Sequence, residues 1–213
     1  MTAEQLGPFR LILPEGCFPL GGESLALGEF ATVRAGWRVC DLGCGGGTLL
    51  LLLAGRERSL SLTGIELDPE AARAARENLA RNALPGEIVT GNLQKKGLLP
   101  NEGFELAISN PPWFALESGA SGGAARSEEA LTLDGLCAAA NRLLKTGGRF
   151  ALAYPPTRLC ELLCTLRAHR LEPKRLRLLA HGPGVPPSAV LVEGVKNGKP
   201  GLEVLADLFQ EAL

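Results

Sequence analysis

The chain has 213 residues, 46% hydrophobic and 21% charged, with a formal net charge of -1. That length suits one compact domain with a sizeable core, or one domain with a short appendage. The balance of charge excludes a global basic field for nucleic acid, so any RNA-gripping surface must be local.

Residues 1–10 lack an apolar run behind a basic start, and the longest apolar run, Leu49–Ala54, is too short to span a membrane. A cytoplasmic protein without a signal peptide is therefore expected. The segment Met1–Ala35 reads as an N-terminal lead-in packing on the cofactor side, with one domain over 36–213.

From Trp37 onward, strand-like and helix-like segments alternate, which predicts an α/β sandwich with a largely parallel sheet. Val39–Leu42 is a buried first strand, followed by a glycine loop and a helix starting at Thr48. Leu60–Glu66 is a second strand. Asp68-Pro69 opens the next helix, because Asp caps well and Pro suits the first helical position. Ala72, Ala75 and Leu79 share one face of it. Glu87–Thr90 and Phe104–Ser109 are further strands, the latter ending in Asn110-Pro111-Pro112-Trp113.

The stretch Glu117–Ala125 is rich in Gly, Ser and Ala and reads as a mobile loop. A helix with Leu133, Leu136, Cys137, Ala140 and Leu144 inward is expected to stop at Gly147-Gly148, before a strand at Arg149–Tyr154. Leu159, Leu162, Leu163 and Leu166 have helical spacing, and strands near Arg175–Leu179 and Ser188–Val195 complete the pattern.

Six cysteines, Cys17, Cys40, Cys44, Cys137, Cys160 and Cys164, form no C-x-x-C pair, and only His169 and His181 could join them. No metal site is expected, and the thiols read as small buried residues.

Asp41-Leu42-Gly43-Cys44-Gly45-Gly46-Gly47 lies at the carboxyl end of the first strand, where glycines let a ligand approach the backbone. The spacing is G-x-G-x-G, and Thr48 stands where a dinucleotide fingerprint needs its third glycine. Glu66 ends the second strand, where a carboxylate can accept from both hydroxyls of a ribose. A tight turn without ligand is the plain alternative for the loop alone. With Glu66 beside it, S-adenosylmethionine, which has no pyrophosphate, is favoured over a nicotinamide cofactor.

The Asn110-Pro111-Pro112-Trp113 corner is the most specific feature. An exocyclic amine on an aromatic ring is a poor nucleophile because its lone pair is delocalised. The Asn110 side-chain oxygen and the Pro111 carbonyl can accept its two hydrogens, with Pro112 restricting the backbone, and Trp113 offers a flat face for stacking. No general base is required, since the methylated amine is acidic enough for water to take its proton. A strand-ending turn with a buried Trp is the competing reading.

These residues resemble class I S-adenosylmethionine-dependent methyltransferases with an Asn-Pro-Pro-aromatic motif, and the chain is similar to the bacterial tRNA1(Val) adenine-N6 methyltransferase family, from about Phe18 to Val204. The resemblance implies a Rossmann-like fold, α/β, with a mostly parallel seven-stranded sheet and an antiparallel last strand. It places the cofactor contacts on Asp41, Gly43, Cys44, Gly45, Gly47, Glu66, Leu67, Asn92 and Asn110, and the catalytic motif on Asn110, Pro111, Pro112 and Trp113. Asn92 stands where the family has Asp, and Trp113 where it has Tyr. Ala125–Glu128, Leu191–Lys196 and, loosely, Leu20–Ser24 also match family elements.

Arg167, Arg170, Lys174, Arg175 and Arg177 form the densest positive stretch, a candidate grip on RNA phosphates or a solvated helix end. Arg126, Arg170, Lys174, Arg175 and Trp113 are accordingly the substrate-binding candidates. The expected activity is N6-methylation of an adenine in tRNA. A protein glutamine methyltransferase, whose target amide presents the same two hydrogens, and a non-catalytic cofactor-binding module remain alternatives. A nicotinamide dehydrogenase is disfavoured by Thr48.

Overall fold

The computed structural model describes residues 2–14, 20–111 and 131–209. Eleven strands and five α-helices are described. They run β1 (Thr2–Leu6), β2 (Phe9–Leu13), α1 (Gly22–Phe30), β3 (Arg38–Leu42), α2 (Thr48–Arg56), β4 (Ser61–Glu66), α3 (Pro69–Arg81), β5 (Gly86–Thr90) and β6 (Phe104–Ser109). They continue as α4 (Leu133–Leu143), β7 (Leu144–Tyr154), α5 (Leu159–Ala168), β8 (Leu171–Ala180), β9 (Ala189–Lys196), β10 (Glu203–Val204) and β11 (Leu208–Phe209).

The seven long strands of the main sheet lie in the order β8-β9-β7-β6-β3-β4-β5. All are parallel except β9, which runs antiparallel to both β7 and β8. The expected seven-stranded sheet gains two short additions: β10 and β11 both pair in parallel with the edge strand β8, blunting it. Among the described residues, no helix is long and apolar enough to cross a membrane.

Strands alternate between two apolar layers. Leu106, Ile108, Ala151 and Ala153 face one cluster, which takes in Leu27, Leu50, Leu53, Ala72 and Ala75 from α1–α3. Ala107, Phe150, Leu152 and Tyr154 face the other, with Leu136 of α4 and Leu162 of α5. A sheet covered on both faces needs near-continuous apolar strands, and this is why β6, β7 and β9 carry so few polar residues. The helix starts follow local chemistry. Asp68 accepts from the Glu70 amide at the head of α3, with Pro69 in the first turn, and Thr132 accepts from the Gly135 amide at the head of α4.

Several expectations are corrected. The helix before β7 ends at Leu143, not at Gly147-Gly148. Leu144 already has extended backbone and pairs with Phe104, so it belongs to the strand. Leu163 is only partly buried, because α5 uses Leu162 and Leu166 as its core contacts. Cys160 and Cys164 are exposed, on the outer side of α5, whereas Cys40, Cys44 and Cys137 are buried. Cys17, like the loop Glu117–Ala125, lies outside the described residues.

The N-terminal segment has more structure than a lead-in suggests. β1 and β2 form an antiparallel hairpin, with Phe9, Leu11 and Leu13 buried in the first apolar cluster.

Candidate active site

In an open α/β sheet, ligands bind beyond the carboxyl ends of the strands, where the order reverses. Here that point falls between β3, which leads through the glycine loop to α2 on one face, and β6, which ends at Asn110. The two strands are neighbours, with Asp41 paired to Ile108, so the glycine loop and the asparagine corner open at the same edge. Ser109 ties them: its buried hydroxyl donates to the Leu42 carbonyl at 2.6 Å.

The loop turns on left-handed backbone at Gly43 (φ +81°), Gly45 (φ +50°) and Gly47 (φ +86°). Its amides at Gly43 and Cys44 donate to the Ile65 carbonyl, at 2.9 and 3.1 Å. A Cβ on Gly43 or Gly45 would meet nothing within 4 Å, so the loop presents bare backbone to open space. Cys44 itself is buried, with its thiol pushed well up by burial and by the neighbouring carboxylates Asp41 and Glu66. It supplies backbone rather than a nucleophile.

Glu66 stands over this loop with a fixed carboxylate. One oxygen accepts from the Gly45 amide at 2.8 Å and the other from the Asp68 amide at 2.9 Å. Each oxygen keeps a further lone pair for a hydroxyl. Gly91 donates to the Glu66 carbonyl at 2.8 Å, which brings Asn92 beside it. The Asn92 side-chain oxygen accepts from the Gln94 amide at 2.9 Å and retains capacity for one more donor. Leu67, next to Glu66, is 53% exposed, an uncovered apolar surface of the kind a purine ring can cover.

Asp41 is the electrostatic anomaly. It is 1% exposed, and neither carboxylate oxygen has a hydrogen-bond partner among the described residues. Burial raises its pKa well above the ordinary 3.8, and Glu66 nearby raises it further. A buried carboxylate with a second one close by is stabilised by a cation. S-adenosylmethionine carries two cationic centres, a ribose and a purine, and the donor and acceptor set of the loop, Glu66, Asp41, Asn92 and Leu67 fits it.

Asn110 is half-buried and held from the side by α1: its Nδ2 donates to the Ser24 hydroxyl at 2.9 Å. Its Oδ1 is buried and has no partner among the described residues. Such an acceptor carries a desolvation cost unless a ligand donates to it. Pro111 follows, buried. Pro112, Trp113 and Arg126 lie outside the described residues.

The basic stretch does not converge on this cleft. Arg170 precedes the amino end of β8, on the sheet edge away from Asn110, since β8 runs in the same direction as β6. Lys174 donates to the Lys199 carbonyl at 3.1 Å. Arg175 is three strands from β6, about 14 Å at ordinary strand spacing. Its guanidinium donates to the Phe30 carbonyl and the Thr32 hydroxyl, both at 3.0 Å, and stacks over the Phe30 ring. It also approaches Glu193, a fully buried carboxylate bonded to Arg149 at 2.6 Å and to the Thr32 amide at 2.7 Å. Arg175 thus anchors the end of α1 to the sheet.

Two polar residues at the site were missed in the sequence reading. Ser24 lies in the segment matched only loosely. Asn78 is fully buried on α3, and the visible signal was an amide interrupting the apolar stripe of Ala71, Ala75 and Leu79.

Comparison with known proteins agrees with this geometry. The family model of the methyltransferase small domain matches residues 22–158. A tRNA1(Val) (adenine(37)-N6)-methyltransferase of Porphyromonas gingivalis is 34% identical over 191 residues, 84% of this chain and 75% of that protein. Among solved structures, a predicted O-methyltransferase from Agrobacterium tumefaciens superposes with a TM-score of 0.72 at 22% identity, covering 88% of this chain and 86% of that one. A methyltransferase from Pyrococcus furiosus gives 0.69 at 20% identity, covering 90% of each chain. These structural likenesses establish the fold. The sequence matches establish that the chain is an S-adenosylmethionine-dependent methyltransferase belonging to the methyltransferase small domain family and, with the Porphyromonas protein, to the tRNA1(Val) (adenine(37)-N6)-methyltransferases.

Proposed function

We propose that this cytoplasmic methyltransferase methylates the N6 amino nitrogen of an adenine in tRNA, at the corner formed by Asn110 and Pro111. The observation that carries this reading is the buried, unpartnered Oδ1 of Asn110 at the cofactor edge of the sheet. An amine donates two hydrogens, and Asn110 Oδ1 and the Pro111 carbonyl are two acceptors one peptide apart.

When bound, S-adenosylmethionine supplies an electrophilic sulfonium methyl. The chain's own part is positioning. Glu66 and the glycine loop hold the ribose and the cofactor backbone, and Asp41 faces a cationic group. Asn110 and Pro111 draw both amino hydrogens away from the ring plane, which frees the nitrogen lone pair toward the methyl. The proton leaves to water afterwards. Trp113 stacks on the target base, and Arg126 contacts the RNA. Residues 1–35 serve as a lead-in on the cofactor side of a methyltransferase domain over 36–213. The tRNA relative at 34% identity supports adenine over a glutamine amide.

The test is methyl transfer from labelled cofactor to tRNA taken from cells lacking this protein. N6-methyladenosine in the digested nucleosides is the expected product. Label recovered only in protein, or in another nucleoside, overturns the assignment.

A further inference from the structure

The N-terminal hairpin is docked on α3 by two side-chain amides that act as a strand. Asn82 Oδ1 accepts from the Arg10 amide and its Nδ2 donates to the Arg10 carbonyl, both at 2.9 Å. One turn earlier, Asn78 Oδ1 accepts from the Ile12 amide at 3.0 Å and its Nδ2 donates to the Ile12 carbonyl at 2.9 Å. The two spacings match. Residues four apart on a helix rise about 6 Å, and residues two apart on a strand about 6.7 Å. Arg10 and Ile12 are the β2 residues whose backbone faces away from β1, so the asparagines satisfy the hairpin's free edge.

Asn82 turns its second Nδ2 hydrogen to the Asn78 backbone carbonyl at 2.7 Å and is half-buried, whereas Asn78 is fully buried. The second Nδ2 hydrogen of Asn78 is within reach of the Gly46 carbonyl, at 2.9 Å, inside the glycine loop. Arg81 donates to its Oδ1 at 2.8 Å, which fixes the amide from behind. A Cβ on Gly46 would lie 2.4 Å from the Leu13 side chain, so the hairpin also packs directly on the loop.

We propose that Asn78 is a positioning residue for cofactor binding: it holds the Gly46 peptide, and with it the loop, against the docked N-terminal hairpin. Occupancy of the cofactor loop and docking of the hairpin are then coupled through one buried amide, and the coupling is reciprocal. The proposal rests on the reading that the glycine loop and Glu66 hold the cofactor.

Asn82 provides the matched control, since it docks the same strand without touching the loop. S-adenosylmethionine and S-adenosylhomocysteine are titrated calorimetrically into the full chain and into Asn78→Ala, Asn78→Asp, Asn82→Ala and Glu66→Ala, each well below its own unfolding temperature. Asn78→Asp keeps the acceptor for Ile12 and Arg81 and removes the donor to both the Ile12 and the Gly46 carbonyls, so it serves as the second variant if the alanine variant does not fold. Both Asn78 variants are expected to weaken both ligands roughly three- to tenfold, as for loss of one hydrogen bond. Asn82→Ala, which leaves the hairpin held by Asn78, is expected to lower stability and to weaken both ligands clearly less than either Asn78 variant. In the unmodified chain, cofactor should slow hydrogen exchange at the Ile12 amide. Equal affinity loss in the Asn78 and Asn82 variants, unchanged affinity in both Asn78 variants, or no cofactor effect at Ile12 overturns the proposal. Undiminished binding in Glu66→Ala instead overturns the placement of the cofactor, a separate failure.

Discussion

Asn110→Ala separates chemistry from stability, because the structure assigns opposite signs to the two. The substitution removes a buried carbonyl oxygen that has no partner. Leaving such a group unsatisfied costs about 1–3 kcal/mol. It also removes the 2.9 Å bond to Ser24, a loss of about 1 kcal/mol. Ser24 is itself only half-buried, so its hydroxyl recovers water. The net effect on the free protein lies between neutral and about 2 kcal/mol stabilising, a rise in Tm of up to about 6 °C for a chain of this size. Catalysis should move the other way. Loss of one preorganised partner for a group whose charge changes in the transition state lowers kcat by about 10²–10³. Cofactor affinity, which depends on Glu66 and the loop, should change less than about twofold. Single-turnover methyl transfer, calorimetric titration and thermal unfolding read the three quantities independently. A kcat within threefold of the parent (about 0.6 kcal/mol), a fall in Tm, or a cofactor affinity loss matching that of Glu66→Ala would refute the reasoning.

Asp41 predicts a pH signature. Its folded-state pKa lies well above 3.8 because of burial and Glu66, so its contribution to stability is full below 3.8 and is lost as pH rises through the folded value. The free protein loses stability through that window. A cationic ligand favours the carboxylate, so cofactor binding releases a proton and tightens with pH, by at most about tenfold per unit. Asp41→Asn should flatten that dependence, and titration in two buffers of different ionisation enthalpy checks the proton count. Ser24→Ala frees the Asn110 amide to rotate and should lower kcat about three- to tenfold at unchanged cofactor affinity; equal kcat refutes the anchoring role. Under native conditions a maleimide should label Cys160 and Cys164 and spare Cys40, Cys44 and Cys137, whose thiols burial raises, Cys137 to about 12. Peptide mass spectrometry decides, and prompt labelling of Cys44 would contradict the burial of its side chain.

The strand–loop–helix unit over Val39–Ala54, the capped start of α3 and the Asn110-Pro111 strand end were legible in the residue order because each is set by local chemistry. Hydrophobic runs mark buried strands, glycines permit left-handed turns, and Asp-Pro opens a helix. The burial of Asp41 and the fate of Arg175 were not legible. Whether a carboxylate is solvated, or a guanidinium free, depends on partners far away in sequence, here Glu66 for the one and Phe30, Thr32 and Glu193 for the other. The same holds for the hairpin, whose docking on Asn78 and Asn82 spans more than sixty residues. Composition and spacing therefore determined the fold class and the cofactor edge, since periodicity and backbone preference act over a few residues. Only the tertiary structure decided which polar groups are buried, paired or left unpartnered, since desolvation depends on everything packed around a group.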